Sequence, residues 1–258
     1  MPKRILVTRP EAQSGPLTSA IETQGDVAVA LPLLAIIPFT ETDAPQACAS
    51  IRQRIQHLAD YQHVIFISTN AVDAGFDWID RFWPQLPAGQ IWYAIGQATA
   101  ERLRHHTVEA EQAGPAMNSE SLLQHPNLQA LQQQKVLIVR GDGGRDYLRE
   151  QLQARGATVD YCDVYQRMPC SYPPGTLKKL LNQGLDFLTV TSTETIQQLL
   201  DQAIIDGVQN HITATTLIVP GLRVAAFARQ KGFRHICVAD NAGVAAMLEA
   251  LHKNTKGE

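Results

Sequence analysis

The chain has 258 residues, 45% of them hydrophobic and 18% charged, with a formal net charge of −3, enough for one large or two modest globular domains. No run of lysines and arginines marks a nucleic-acid surface. After Lys3 and Arg4 the apolar run lasts only from Ile5 to Val7, too short for a signal-peptide core, and no later segment approaches a membrane span. Cys48, Cys162, Cys170 and Cys237 lack metal spacing and read as reduced thiols of a cytoplasmic protein, while adjacent His105 and His106 diverge by roughly 100° on a helix, which argues against a metal site.

RILVTRP (4–10) predicts a strand. A helix follows, with Leu17 and Ile21 at i and i+4, Pro16 in its first turn and Gly25 at its C-terminal cap; DVAVALPLLAIIPF (26–39) then predicts one unusually long strand. VIFISTNAV (64–72) is a β-rich strand ending in Ser-Thr before a helix start, IWYAIGQATA (91–100) is strand, glycine, helix, and VEAEQ (108–112) is a strand before a helix opened by Asn118, Ser119 and Glu120.

VLIVRGDGGR (136–145) repeats the opening unit at a constant offset. Arg140 falls opposite Arg9, Leu148 and Leu152 opposite Leu17 and Ile21, and Gly156 opposite Gly25; TVDYCDVYQR (158–167) is the matching second strand. LTVTSTETI (188–196), TLIVPGLRVA (216–225) and HICVA (235–239), the last followed by Asn241 and VAAMLEAL, repeat the middle three strands. Alternating strands and helices of these lengths predict a parallel, doubly wound sheet in each half.

The units run as pair (3–37), triple (62–130), pair (135–167), triple (185–252). One α/β domain, 1–37 with 168–258, therefore receives the other, 38–167, as an insertion with cyclically permuted units and flavodoxin-like strand order. The two connecting segments are predicted to pair as an antiparallel ladder, since ten extended residues span roughly 33 Å.

Open parallel sheets bind ligands at the carboxyl ends of their strands. Here those ends carry Thr8 and Arg9, Ser68, Thr69 and Asn70, Gly96 and Gln97, Arg140, Gly141 and Asp142, Ser192, Thr193 and Glu194, and Gly221 and Arg223. Hydroxyls, glycines and arginines ahead of helix starts make anion sites, so a small ligand with several negative charges is expected. The same Ser-Thr pairs serve as plain N-caps in many proteins, and the arginines also fit a role of covering an apolar edge.

GDGG (141–144) fails the GxGxxG pattern because Asp146 stands where the last glycine belongs, and no GxxxxGK[ST], HExxH or GxSxG occurs. No triad or carboxylate pair assembles. Tyr165 is the one polar aromatic in a connecting strand, suited either to proton donation or to packing.

In their joint order ILVTRP, VIFISTNAV, AIGQATAERL, VLIVRGDGGRDYLREQL with VYQR, and TVTSTETI resemble the uroporphyrinogen-III synthase family over essentially the whole chain. The resemblance implies two α/β domains joined by a two-stranded ladder. It also implies a cytoplasmic enzyme that closes hydroxymethylbilane, a linear tetrapyrrole with eight carboxylates, into uroporphyrinogen III while inverting ring D.

No cofactor, metal, nucleic acid or membrane is implied; a monomer is expected, with handover from hydroxymethylbilane synthase. By motif, Tyr165 assists departure of the terminal hydroxyl. Ser68, Asn70, Gly96, Thr99, Ser192 and Thr193 match ligand-facing positions. At Gly221, Leu222, Arg223 the chain departs from the family's hydroxyl-bearing pattern, and Arg223 is the substitute expected to meet a carboxylate. A non-catalytic two-domain anion-binding protein and a phosphosugar or nucleotide enzyme are the rival readings.

Overall fold

The computed structural model describes residues 2–112 and 118–255; part of the predicted loop before Asn118 lies outside them. The chain divides into two units, 1–35 with 168–258, and 36–167.

In the first unit β1 (Arg4–Val7), β2 (Val27–Ala30), β9 (Phe187–Thr189), β10 (Thr216–Val219) and β11 (Ile236–Val238) form a parallel sheet in the order β11-β10-β9-β1-β2. Helices α1 (Glu11–Thr23), α7 (Thr176–Asn182), α8 (Thr193–Asp206), α9 (Gln209–Ala214), α10 (Leu222–Gln230) and α11 (Val244–Thr255) accompany it. Alternation along each strand deals side chains to two cores. Leu6, Leu188 and Leu217 enter one, and Ile5, Val7, Phe187 and Ile218 the other.

The second sheet, carried by the second unit except for the first residues of β3 and the last of β8, holds β3 (Leu34–Pro38), β4 (His63–Phe66), β5 (Ile91–Ala94), β6 (Glu111–Gln112), β7 (Lys135–Gly141) and β8 (Thr158–Pro169), ordered β3-β8-β7-β4-β5-β6. Its helices are α2 (Pro45–Gln56), α3 (Thr69–Phe82), α4 (Gln97–Arg104), α5 (Ser119–Leu122) and α6 (Tyr147–Ala154). Val64, Phe66, Leu137 and Val139 pack on one face; Ile65, Val136 and Ile138 pack on the other.

Setting β3 aside, β8-β7-β4-β5-β6 is the order of the first sheet with its strands drawn from the chain in a rotated sequence. Both are the flavodoxin-like order, in which the first strand of the pair lies next to the triple. Strands β3 and β8 are neighbours, and the bonds Phe39 N–H to Val164 O (3.3 Å) and Cys170 N–H to Leu33 O (3.0 Å) run their register in opposite directions, an antiparallel ladder.

Three local expectations are corrected. The stretch 26–39 is two strands broken at Leu31-Pro32-Leu33, because proline has no N–H to donate to a ladder and the chain changes sheets there. Pro16 lies inside α1, which begins earlier, at Glu11 after Pro10. VEAEQ forms only the two-residue β6.

Candidate functional site

The strand ends of each unit lead into helix starts. Ser68 caps α3, its Oγ accepting the Ala71 N–H at 3.1 Å, and Ser192 caps α8 by accepting the Thr195 N–H at 3.1 Å. Thr69, Asn70 and Thr193 open those helices beside the caps. Gly96 precedes α4 with φ +95°, a conformation that a side chain disfavours, and so leaves the backbone bare at the end of β5. Gly221 leads into α10, with Arg223 exposed in its first turn.

In the first unit Thr8 is buried and its hydroxyl donates to Thr189 O at 2.6 Å, tying β1 to β9. Arg9, just beyond, donates through Nη2 to Ala242 O at 2.5 Å. Its buried Nε has no hydrogen-bond partner among the described residues. Burial lowers the Arg9 pKa from its usual value. An arginine with an unanswered N–H at a strand end is a group that an anion satisfies.

In the second unit Thr99 is buried and donates to Ile95 O at 3.0 Å, while Gln97 Nε2 donates to the Glu101 carboxylate at 2.8 Å on the surface. Neither side chain is idle.

The most specific arrangement joins Ser68, Gly141 and Tyr165. The Tyr165 hydroxyl lies 3.2 Å from Ser68 Oγ, and the ring packs over Gly141, where a Cβ would fall 2.4 Å from a ring carbon. Tyr165 is 3% exposed. A phenol packed in this way retains one group with chemistry, its hydroxyl.

A β-bulge aims that ring. Arg140 pairs with Asp163, but Gly141 pairs with Tyr165, so Val164 is the extra residue. Strict alternation would place Tyr165 on the face of Tyr161 and Asp163; the bulge turns it to the face of Cys162 and Val164, whose core it joins.

Arg140 goes the other way. Its Nε donates to Asp163 Oδ1 at 2.8 Å, and its guanidinium carbon sits 3.6 Å from the centroid of Tyr161, a ring that Arg149 also approaches at 4.5 Å. Burial, with the hydrogen bond to Asp146, pushes the Tyr161 phenol up to about 12. The sheet thus separates Arg140 from the Ser68–Tyr165 pair, although the sequence groups them. Asp163 and Tyr161 are the partners that sequence reasoning missed; their alternation with Tyr165 was visible, but the bulge was not.

Two recesses in this unit, one lined by Arg54, His57, Tyr61, Lys135 and Asp160 and one by Gln62, His63, Asn127 and Gln134, lie at the amino ends of the strands. That is the opposite end from the serines and glycines described above.

A family model described as uroporphyrinogen-III synthase HemD matches residues 15–249. The uroporphyrinogen-III synthase of Escherichia coli K12 is 35% identical over 256 residues, covering 96% of this chain and 99% of that protein. That of Salmonella typhimurium LT2 is 33% identical over 251 residues, with the same two coverages. Among solved structures, a mutant uroporphyrinogen III synthase from the extreme thermophile Thermus thermophilus aligns with a TM-score of 0.62 at 15% identity, over 99% of this chain and 100% of that one. The Helicobacter pylori 26695 enzyme aligns at 0.56 and 16%, over 98% and 100%. These two speak for the fold. With the family model spanning nearly the whole sequence and two relatives above 30% identity end to end, the chain belongs to the uroporphyrinogen-III synthase family.

Proposed function

We propose that this uroporphyrinogen-III synthase acts on hydroxymethylbilane by releasing its terminal hydroxyl as water. The substituted α-carbon of ring D then attacks the azafulvene so formed, and the spiro intermediate fragments and re-closes with ring D inverted. A proton goes to the departing hydroxyl, and one is lost from carbon as the last pyrrole regains aromaticity, so the acid that gave the first can recover it.

The observation that carries the reading is the fixed hydroxyl of Tyr165, held by Ser68 and packed on Gly141 at strand carboxyl ends. We assign it as donor to the leaving hydroxyl. Carboxylate binding falls to the backbone N–H groups and hydroxyls at Thr69 and Asn70, Gly96, Ser192 and Thr193, and Gly221, and to Arg9 and Arg223. Their support is the run of capped helix starts and the unanswered Arg9 Nε. Because the substrate cyclises unaided to the type I isomer, the enzyme's work is positioning and selective transition-state binding, which such groups supply.

The reading extends to a cytoplasmic monomer taking its unstable substrate by handover from hydroxymethylbilane synthase. Tyr165→Phe tests the chemical assignment: kcat falls about a hundredfold or more while the melting temperature holds. Unchanged kcat would leave Tyr165 a packing residue.

A further inference from the structure

We infer that Ser68 is a positioning residue for the Tyr165 phenol, acting on the reaction through that hydroxyl rather than by gripping a substrate carboxylate. The inference rests on the proposed role of Tyr165.

The geometry is an accounting of one hydroxyl. Ser68 Oγ already accepts the Ala71 N–H as the cap of α3, which fixes its direction, and it lies 3.2 Å from the Tyr165 hydroxyl. A serine hydroxyl has one proton to give and two lone pairs. With one lone pair committed to Ala71, Ser68 can donate its proton to the phenol oxygen. The Tyr165 proton is then free to point elsewhere.

As that proton leaves, negative charge grows on an oxygen that receives a hydrogen bond from Ser68. The 14-residue α3 begins directly behind, with the positive end of its dipole toward the same place. Gly141 completes the arrangement from the other side, since only a residue without Cβ lets the ring lie where its hydroxyl meets Ser68. A bulged strand, a bare backbone and a helix cap thus converge on one phenol.

The test is a double-mutant cycle on turnover of hydroxymethylbilane, with Ser68→Ala, Tyr165→Phe and the pair. Ser68→Ala is expected to lower kcat about ten- to hundredfold, the worth of one hydrogen bond to a charged group, with KM little changed. In the Tyr165→Phe background the same substitution should then do almost nothing. Ser68→Thr, which keeps both hydroxyl and cap, recovers most of the lost kcat. Ser68→Gly, which caps nearly as well as serine but has no hydroxyl, behaves as Ser68→Ala, so a folding defect is separated from a lost hydrogen bond.

Additive effects, or a loss carried in KM, would overturn the inference and return Ser68 to carboxylate binding. An unimpaired Tyr165→Phe enzyme would overturn the reading of Tyr165 and this inference with it. Independently of turnover, fluorotyrosine-labelled protein reports the contact by 19F resonance, with Tyr165→Phe identifying the signal. A Tyr165 resonance unmoved by Ser68→Ala contradicts the hydrogen bond whether or not the enzyme reaction proceeds.

Discussion

Gly141 and Tyr165 are in such close contact that a β-carbon on the former would lie 2.4 Å from Cε2 of the latter's ring. Since the ring is buried in the core with Cys162 and Val164, it cannot retreat without disturbing that packing. Gly141→Ala is therefore expected to cost about 1–3 kcal/mol, as overpacking of a filled site does, and to lower kcat by moving the phenol from Ser68. Denaturant unfolding and turnover on the same sample check it; wild-type values in both would mean that the ring shifts freely.

Arg140 has an ion-pair partner and a ring partner inside its own unit. Its side chain is 9% exposed and that of Asp163 35%. Arg140→Ala should destabilise the protein by about 3 kcal/mol, the low end for breaking a buried pair because Asp163 keeps some water. If instead stability held and KM rose sharply, Arg140 would be a substrate ligand.

His63 gives a pH dependence. It is 3% exposed, with Nδ1 3.0 Å from the Tyr93 hydroxyl and Nε2 2.5 Å from Gln134 Oε1. Burial pushes its pKa below the ordinary 6.5, the Gln134 bond opposes this, and His125 adds to the lowering. The unfolded chain therefore takes up the proton first as pH falls. Stability is complete above about pH 6.5 and drops below it until the folded state also protonates. His63→Gln should flatten the difference in melting temperature between about pH 7.5 and about pH 5. An unchanged difference assigns the acid sensitivity to other groups.

Asp206, at the end of α8, accepts the backbone N–H groups of Gly175 (2.8 Å), Leu177 (2.6 Å) and Lys178 (3.1 Å) and the Gln202 amide at 3.0 Å. Burial raises its pKa, but these four donors outweigh it and the net shift is downward. A lowered carboxylate contributes stability above its unfolded value, near 3.8, that is lost as pH falls through the folded one. Asp206→Ala orphans the start of α7 and should cost about 2–4 kcal/mol, several times a lost surface cap. A melting temperature within error of wild type would show that water replaces the carboxylate.

The sheet order was legible because it follows from repeats: Arg9 and Arg140 mark equivalent strands, and parallel strands with helical crossovers leave few topologies. The caps at Ser68, Ser192 and Asn118 were legible for a local reason, since a hydroxyl or amide before an apolar helix satisfies an orphan N–H. What could not be seen depended on contacts distant in sequence. The Arg140–Asp163 pair, the bond from Gly175 to Asp206 and the His63–Tyr93 bond join residues 23 to 31 positions apart, and no local pattern announces them. The bulge at Val164 escaped for a different reason. Period-two reading assigns Tyr165 to the wrong face, and only the register shift corrects it.

The most direct measurement is the isomer made from hydroxymethylbilane generated in situ, resolved by chromatography after oxidation to porphyrins. Predominantly type III product, dependent on this protein and formed without added cofactor, is expected. Type I alone, from correctly folded protein, would contradict ring inversion and leave an anion-binding protein without turnover.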